Sequence, residues 1–463
     1  MKERKYQVHK FGGACLANPS KVHQAVSCII KEMQNSEDKI IIVVSAALGV
    51  TDTIRNGIKN LFTSMTIVHD TINELESLHN QFIEVFPILK PVYKELSEKL
   101  DNLLLKSVEK NNLSKEDRDL CLITGERFMA KAMVEFLASH SLEANCLMPE
   151  DIEFLTDGKF FKAEVDFSHD FSKFKSIIAE TTDKTRIIVI PGFYGINKEG
   201  KITTFGPSGT DYSATSIANI LNAEKTIIWK DVNGFMTSDP RLVNSQTIDN
   251  LGYSEAAELA HFGAKVLHPR AVLPAQIKQI PIEIRNVNNN VKSLIVPDDK
   301  TDVQAVKSIS YMKDVGLLKV YISSGGTQYN VINNIYQTFS DYHINIYAIA
   351  TSSTAITFLL NQSELEFVSK LLPQQHPFIE KIEIITDICL ICLVGKGLGT
   401  TPNIASQIFS VVGNNGINVE MITAGASPVA LQFTVKQNKL EEALSHLHNY
   451  FFEDEVKKLV NLA

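Results

Sequence analysis

The sequence predicts an α/β protein: a mainly parallel sheet sandwiched by helices, followed by two smaller α+β units. Two observations carry this reading. Short β-branched apolar runs at 39–52 ("KIIIVVSAALGVTD"), 186–195 ("RIIVIPGFYG") and 225–234 ("KTIIWKDVNG") each lead into a turn, with helical segments between them, as buried parallel strands do. Beyond about residue 300 the order strand, helix, strand, strand, helix, strand runs through 315–390, and much of it recurs over 391–454. The segments "INI" and "INV", each following a helix, mark the register of this βαββαβ repeat. The expected organisation is a catalytic body over 1–300, then α+β units over 301–390 and 391–463. Within the body, 53–118 reads as a helical excursion rich in Leu, Lys and Glu, broken at Pro87 and Pro91.

Composition narrows the function. With 44% hydrophobic and 21% charged residues, the chain is ordinary for a soluble globular protein. A net charge of -8 without a basic cluster argues against a nucleic-acid partner. No apolar run approaches the roughly 20 residues of a membrane span, and "MKERKYQVHK" has no signal-peptide core. The six cysteines form no framework, so a reducing cytoplasm is the expected compartment. Cys389 and Cys392 are spaced like half a zinc site, but "ITDICLICLVG" reads as a buried strand, where residues three apart face opposite sides; no metal site is expected.

Three stretches could carry chemistry. "TTFGPSGTDYSATSIANIL" (203–221) runs a glycine-bearing turn into a helix, and helix starts present backbone N–H groups and a partial positive charge to anions. "VHKFGGACL" sets Lys10, a compact point charge, directly before Gly12 and Gly13 at a strand end. Asp211 opens an amphipathic segment in which Ala214, Ile217, Ala218 and Leu221 share a face. The plain alternatives are an ordinary turn, a surface lysine and an N-cap aspartate. In open α/β sheets ligands gather beyond the carboxyl ends of strands, where Ser45, Gly192 and Asp231 would fall.

Taken together, "KFGG", "ITGERFMA" (123–130), "GPSGTDYSA" (206–214), "WKDVNGFMTSDPR" (229–241) and "YSEAAELAHFGAKVLHPRAV" (253–272) resemble the aspartate kinases, over nearly the whole chain and in the right order. These enzymes have the amino-acid-kinase fold with tandem C-terminal ACT domains. The resemblance implies transfer of the γ-phosphoryl group of Mg-ATP to the side-chain carboxylate of L-aspartate, the first step toward lysine, threonine and methionine. It implies Lys10, Asp211 and Lys265 as catalytic groups, with Asp211 orienting the lysines. It implies Gly12, Gly13, Gly209, Lys230, Asp231, Met236, Arg241, Lys265 and Val266 at the nucleotide. Ser45, Thr51, Glu126, Phe193 and Thr210 would surround the amino-acid substrate, with Glu126 receiving its ammonium group. No protein-bound metal is implied, since Mg2+ would be held mainly through the phosphates. A homodimer or higher oligomer through the ACT domains is the expected assembly.

The chain departs from the family pattern where the acceptor binds. Pro207 and Ser208 replace the arginine and following glycine of a G-R-G-G-S-D turn, and that arginine pairs with a substrate carboxylate. Ala14 and Cys15 replace two hydroxyl residues, and Met236 replaces an aromatic hydroxyl. At the effector positions, Tyr347 and Ser353 stand where lysine-sensitive relatives have acidic side chains, while Thr351 and Ser352 remain. Weak or absent lysine inhibition is therefore expected. The competing readings are a kinase for a related acidic amino acid and a catalytically impaired ACT-domain sensor.

Overall fold

The computed structural model describes residues 5–64, 66–263, 266–322 and 328–453. The chain forms two compact units. One comprises Met1–Phe235, Asp249–Ala257 and Lys265–Thr301; the other comprises Met236–Ile248, Glu258–Ala264 and Asp302–Ala463. Two short segments before residue 300 thus cluster with the C-terminal unit, which a single cut in the sequence does not describe.

The first unit opens with β1 (Tyr6–Phe11), α1 (Pro19–Asn35) and β2 (Lys39–Val44). Asn18 caps α1 by accepting the Lys21 N–H, and Pro19 sits at the first helical position, where its missing donor costs nothing. The helical excursion follows as α2 (Val50–Lys59), α3 (Thr66–Val85), α4 (Leu89–Glu109), α5 (Lys115–Leu122) and α6 (Thr124–Ala138). Pro87 lies between α3 and α4, but Pro91 does not break a helix: it occupies the first turn of α4, where an N–H has no intrahelical partner to lose. Next come β3 (Ala144–Cys146), α7 (Ser172–Lys184), β4 (Ile187–Pro191), β5 (Tyr194–Ile196), β6 (Ile202–Thr204) and α8 (Gly209–Leu221). The unit closes with β7 (Lys225–Lys230), β8 (Asn250–Gly252), the start of α9 (Tyr253–His261), α10 (Pro269–Ile277), β9 (Ile282–Asn286) and β10 (Lys292–Val296).

Eight of these strands form one sheet in the order β3-β4-β2-β1-β7-β9-β10-β8. From β3 to β9 every pairing is parallel; β10 runs antiparallel to β9. The expected runs become β2, β4 and β7, with β1 central between β2 and β7. Their carboxyl ends therefore open on one edge, which is where the candidate site lies.

The second unit contains β11 (Ser308–Ile322), α11 (Gln328–Asp341), β12 (Ile346–Thr351), β13 (Ala355–Asn361) and α12 (Gln362–Gln375). It continues with β14 (Ile379–Val394), α13 (Ile404–Asn414), β15 (Met421–Thr423), β16 (Ala430–Lys436) and α14 (Leu440–His448). All six strands share one sheet, β12-β13-β11-β14-β16-β15. The two repeats are interleaved. The far halves of β11 and β14 (Leu317↔Ile385 to Tyr321↔Lys381) carry the first core, with Leu318, Ile335, Phe358 and Leu372. Their near halves (Ser308↔Val394 to Met312↔Leu390) carry the second, where Ile309 packs with Ile391, Ile408, Phe433 and Leu444. The last strand of the second repeat is thus supplied from upstream of the first, rather than from within 391–463.

Candidate active site

Two buried charges, Lys10 and Asp211, meet a partly exposed third, Lys230, at the carboxyl edge of the large sheet. Lys10, the penultimate residue of β1, pairs in register with Val43 of β2 and Ile228 of β7, and is 5% exposed. Asp211 lies in the first turn of α8, a helix buried along its whole length. Lys230 ends β7. Asp211 bridges the two lysines, with Lys10 Nζ 2.6 Å from Oδ1 and Lys230 Nζ 3.1 Å from Oδ2. Burial alone would raise the Asp211 carboxyl, but the two ammonium groups outweigh it and hold it at about 2. Lys10 is lowered by burial, an effect that Asp211 partly offsets.

A cavity of about 200 Å³ opens from this cluster. Ser45, just beyond β2, and Thr51 in α2 line it, as do Phe193 and the start of α8 at Gly209 and Thr210. Glu126, in the first turn of α6, lines it too. Glu126 is 2% exposed, and its Oε2 has no hydrogen-bond partner among the described residues. Burial pushes its carboxyl up to about 7, against hydrogen bonds from the Ala46 and Glu126 backbones. A buried carboxylate with one unpartnered oxygen, lining a cavity, is suited to an incoming cation.

The glycine-bearing turn has a specific geometry. Gly206 and Ser208 both adopt positive φ, 75° and 54°, on either side of Pro207. A Cβ on Gly206 would lie 2.5 Å from the Phe161 carbonyl oxygen, so only glycine fits there. Pro207, whose ring fixes φ, thus stiffens a turn already committed by its neighbours. Ser208 holds a left-handed conformation that suits glycine better. Phe193 is also left-handed, at φ 77°; its N–H donates to Ser213 Oγ and its carbonyl accepts from the Phe205 N–H.

The structure thus draws Lys10, Ser45, Thr51, Glu126, Phe193, Gly209, Thr210, Asp211 and Lys230 around one cavity. Gly12 and Gly13 follow Lys10 in the loop after β1; a Cβ on Gly12 would stand 3.0 Å from Lys10 Nζ, and one on Gly13 would stand 3.1 Å from the Ala46 carbonyl oxygen. Asp231 is exposed, one residue past Lys230, and Val266 is a half-buried turn residue. Lys265 lies outside the described residues. Met236 and Arg241 belong to the C-terminal unit, where the Arg241 guanidinium grips Asp239 (Nη2–Oδ2 2.6 Å). Of the effector candidates, half-buried Tyr347 and exposed Thr351 lie on β12. Ser352 and Ser353 follow in the turn, where Ser352 Oγ accepts the Ala355 N–H.

Sequence reasoning missed three contributors. Arg55, one helical turn after Thr51 in α2, lines the cavity. Its i,i+4 spacing from Thr51 is the signal that could have found it. Asp119 is fully buried and accepts from the Thr204 N–H (2.8 Å), Thr204 Oγ1 (2.8 Å) and the Phe161 N–H (3.2 Å). Arg270 donates to the Phe205 and Ala163 carbonyls, both at 2.8 Å. Together Asp119 and Arg270 clamp the segment that leads into the Gly206–Ser208 turn.

Paired lysines bridged by an aspartate at a helix start, beside a carboxylate suited to an ammonium group, make a site for moving an anionic group onto a small zwitterion. Residues 5–286 match the amino acid kinase family, to which the chain belongs, and residues 391–451 match the ACT domain. More particularly, the chain is similar to aspartokinases. It is 30% identical to the bifunctional aspartokinase/homoserine dehydrogenase of Buchnera aphidicola, covering 96% of this chain but 56% of that one. It is 28% identical to the chloroplastic aspartokinase 3 of Arabidopsis thaliana, covering 98% and 83%. Its fold matches E. coli aspartokinase III, solved with aspartate and ADP, with a TM-score of 0.81 over 97% of this chain and 100% of that chain at 22% identity.

No helix among the described residues is long and apolar enough to cross a membrane.

Proposed function

We propose that this protein transfers the γ-phosphoryl group of ATP to the side-chain carboxylate of L-aspartate, yielding 4-phospho-L-aspartate and ADP. The observation that carries the reading is the pairing, across one cavity, of the Lys10–Asp211–Lys230 cluster with the unpartnered Oε2 of Glu126. The names and bound ligands of the aspartokinase relatives support the same assignment.

The chemistry asks mainly for positioning and charge neutralisation. The acceptor carboxylate is ionised at neutral pH, so no general base is required. Lys10 and Lys230 would face the phosphates while Asp211 fixes their ammonium groups. The start of α8 and the Gly12–Gly13 loop would supply backbone N–H groups. The family resemblance adds Lys265 as a further cation over the phosphates, with Asp231, Met236, Arg241 and Val266 near the nucleotide. Mg2+, carried in on the phosphates, would neutralise their charge. Glu126 would take the ammonium group, with Ser45, Thr51, Phe193 and Thr210 around the rest of the acceptor. A homodimer or higher homo-oligomer formed through the ACT domains, in the cytoplasm, completes the reading.

A coupled ADP-release assay across a panel of acidic amino acids, run beside Lys10→Ala, tests it. Aspartate should support turnover that the substitution abolishes. ADP release with another acidic amino acid alone would change the acceptor. No release with any acceptor, despite measurable ATP binding, would favour the sensor.

A further inference from the structure

The proposed acceptor carries two carboxylates and one ammonium group, and the cavity must meet all three. The reacting carboxylate has to lie toward the lysine cluster, and Glu126 answers the ammonium. The α-carboxylate is left over, and Pro207 offers it no charge. Lys10 and Lys230 are already committed to Asp211, at 2.6 and 3.1 Å. The remaining cation in the cavity lining, among the described residues, is Arg55.

Arg55 is well placed for the task. It sits within α2, so a rigid element carries it, and it shares a helix face with Thr51, which lines the same cavity. Its guanidinium pairs with Asp52 Oδ1 at 2.9 Å, but the two side chains are 52% and 72% exposed. An exposed pair three residues apart is weakly held. A ligand carboxylate in a partly desolvated cavity, offered the bidentate geometry that guanidinium favours, can displace it.

We infer that Arg55 grips the α-carboxylate of the acceptor amino acid, supplying from α2 the charge that the 206–208 turn lacks. This rests on the aspartate kinase reading given above.

The test compares L-aspartate with its α-amide (L-aspartic acid 1-amide) as acceptors for the wild type, Arg55→Ala and Arg55→Lys. Losing a charged hydrogen bond inside a site corresponds to about 10–100-fold in affinity. The wild type should prefer aspartate to the amide by that factor in kcat/KM. Arg55→Ala should raise the KM for aspartate about 10–100-fold, leave the KM for ATP unchanged, and abolish the preference. Arg55→Lys should keep part of it. Because Arg55 is half exposed, unfolding temperatures should stay together, separating lost binding from lost structure. An Arg55→Ala enzyme with an unchanged aspartate KM and an undiminished preference overturns the inference while leaving the kinase reading intact. A wild type that releases no ADP with aspartate overturns that reading, and the inference with it.

Discussion

Asp211→Asn tests the electrostatic centre of the site most directly. The substitution keeps the shape of the side chain but removes the charge between Lys10 and Lys230. Asp211 is held at about 2 against its ordinary 3.8. At about 1.4 kcal/mol per tenfold, that gap is worth about 2–3 kcal/mol of native stability. Because the folded value is the depressed one, this contribution is complete above about 3.8 and is lost as pH falls through 2. Removing one partner of a buried pair costs more than the pair's net worth, typically about 3–5 kcal/mol. At roughly 2 °C per kcal/mol for a unit of this size, the unfolding temperature should drop about 6–10 °C at pH 7. Burial already lowers Lys10, so without Asp211 it should shed its proton more readily and hold phosphate less well. Mg-ADP should therefore bind the variant more tightly as pH is lowered, and at pH 7 raise its unfolding temperature by less than it raises that of the wild type. Thermal unfolding with and without nucleotide, repeated across pH, reads both effects. An unaltered unfolding temperature together with pH-independent nucleotide affinity would show that Asp211 does not organise these lysines.

Further outcomes are expected at Glu126, at the 206–208 turn and at the effector positions. Glu126, pushed up to about 7, must ionise to take an ammonium group, so the aspartate KM should fall as pH rises through 7, and Glu126→Gln should raise that KM and flatten the profile. Its raised folded value also means that the contribution of Glu126 to ligand-free stability is complete below about 4.5 and falls by up to about 3 kcal/mol as pH rises through 7, a loss that denaturant titrations of Glu126→Gln should not show. Ser208→Gly, at a left-handed position, should stabilise the protein by about 1 kcal/mol in denaturant unfolding. Sequence alone suggests that Pro207→Arg would lower the aspartate KM; with Arg55 in place the gain should be small in the wild type and large only in the Arg55→Ala background, as steady-state kinetics would reveal. Lysine titrated to millimolar levels should inhibit weakly or not at all, since β12 carries no acidic side chain; strong inhibition below 1 mM would contradict this.

Much of the framework around the candidate site could be read from the chain because its signals are local. β-Branched runs ending in turns identified the parallel strands, and a lysine or aspartate beside glycine marked the edge where β1 and α8 converge. Arg55 was not legible in that way. It lies between Ile54 and Asn56 on α2, in no motif, and only the packing of that helix against α3 and α5 turns it toward the cavity. Asp119 and Arg270 act on the 206–208 turn from distant parts of the chain, through backbone carbonyls and amides that no motif records. Met236 and Arg241, contiguous in sequence with Lys230, belong to the other compact unit, a division set by tertiary packing. The interleaving of the two repeats rests on pairing Ser308–Met312 with Leu390–Val394, a long-range match that repetition conceals.

That interleaving has a bearing on how the C-terminal unit can be assembled and dissected. A fragment starting at the second repeat would lack Ser308–Met312 and leave one side of β14 as an open hydrogen-bonding edge, a template for aggregation. In the growing chain the upstream strand must wait for the entire first repeat to be made before its partner exists, so closing this loop is a late and slow event. Because β11 and β14 each continue from one core to the other, through register shifts between Met312 and Leu317, a twist imposed on either strand at one end reaches the other through those bulges.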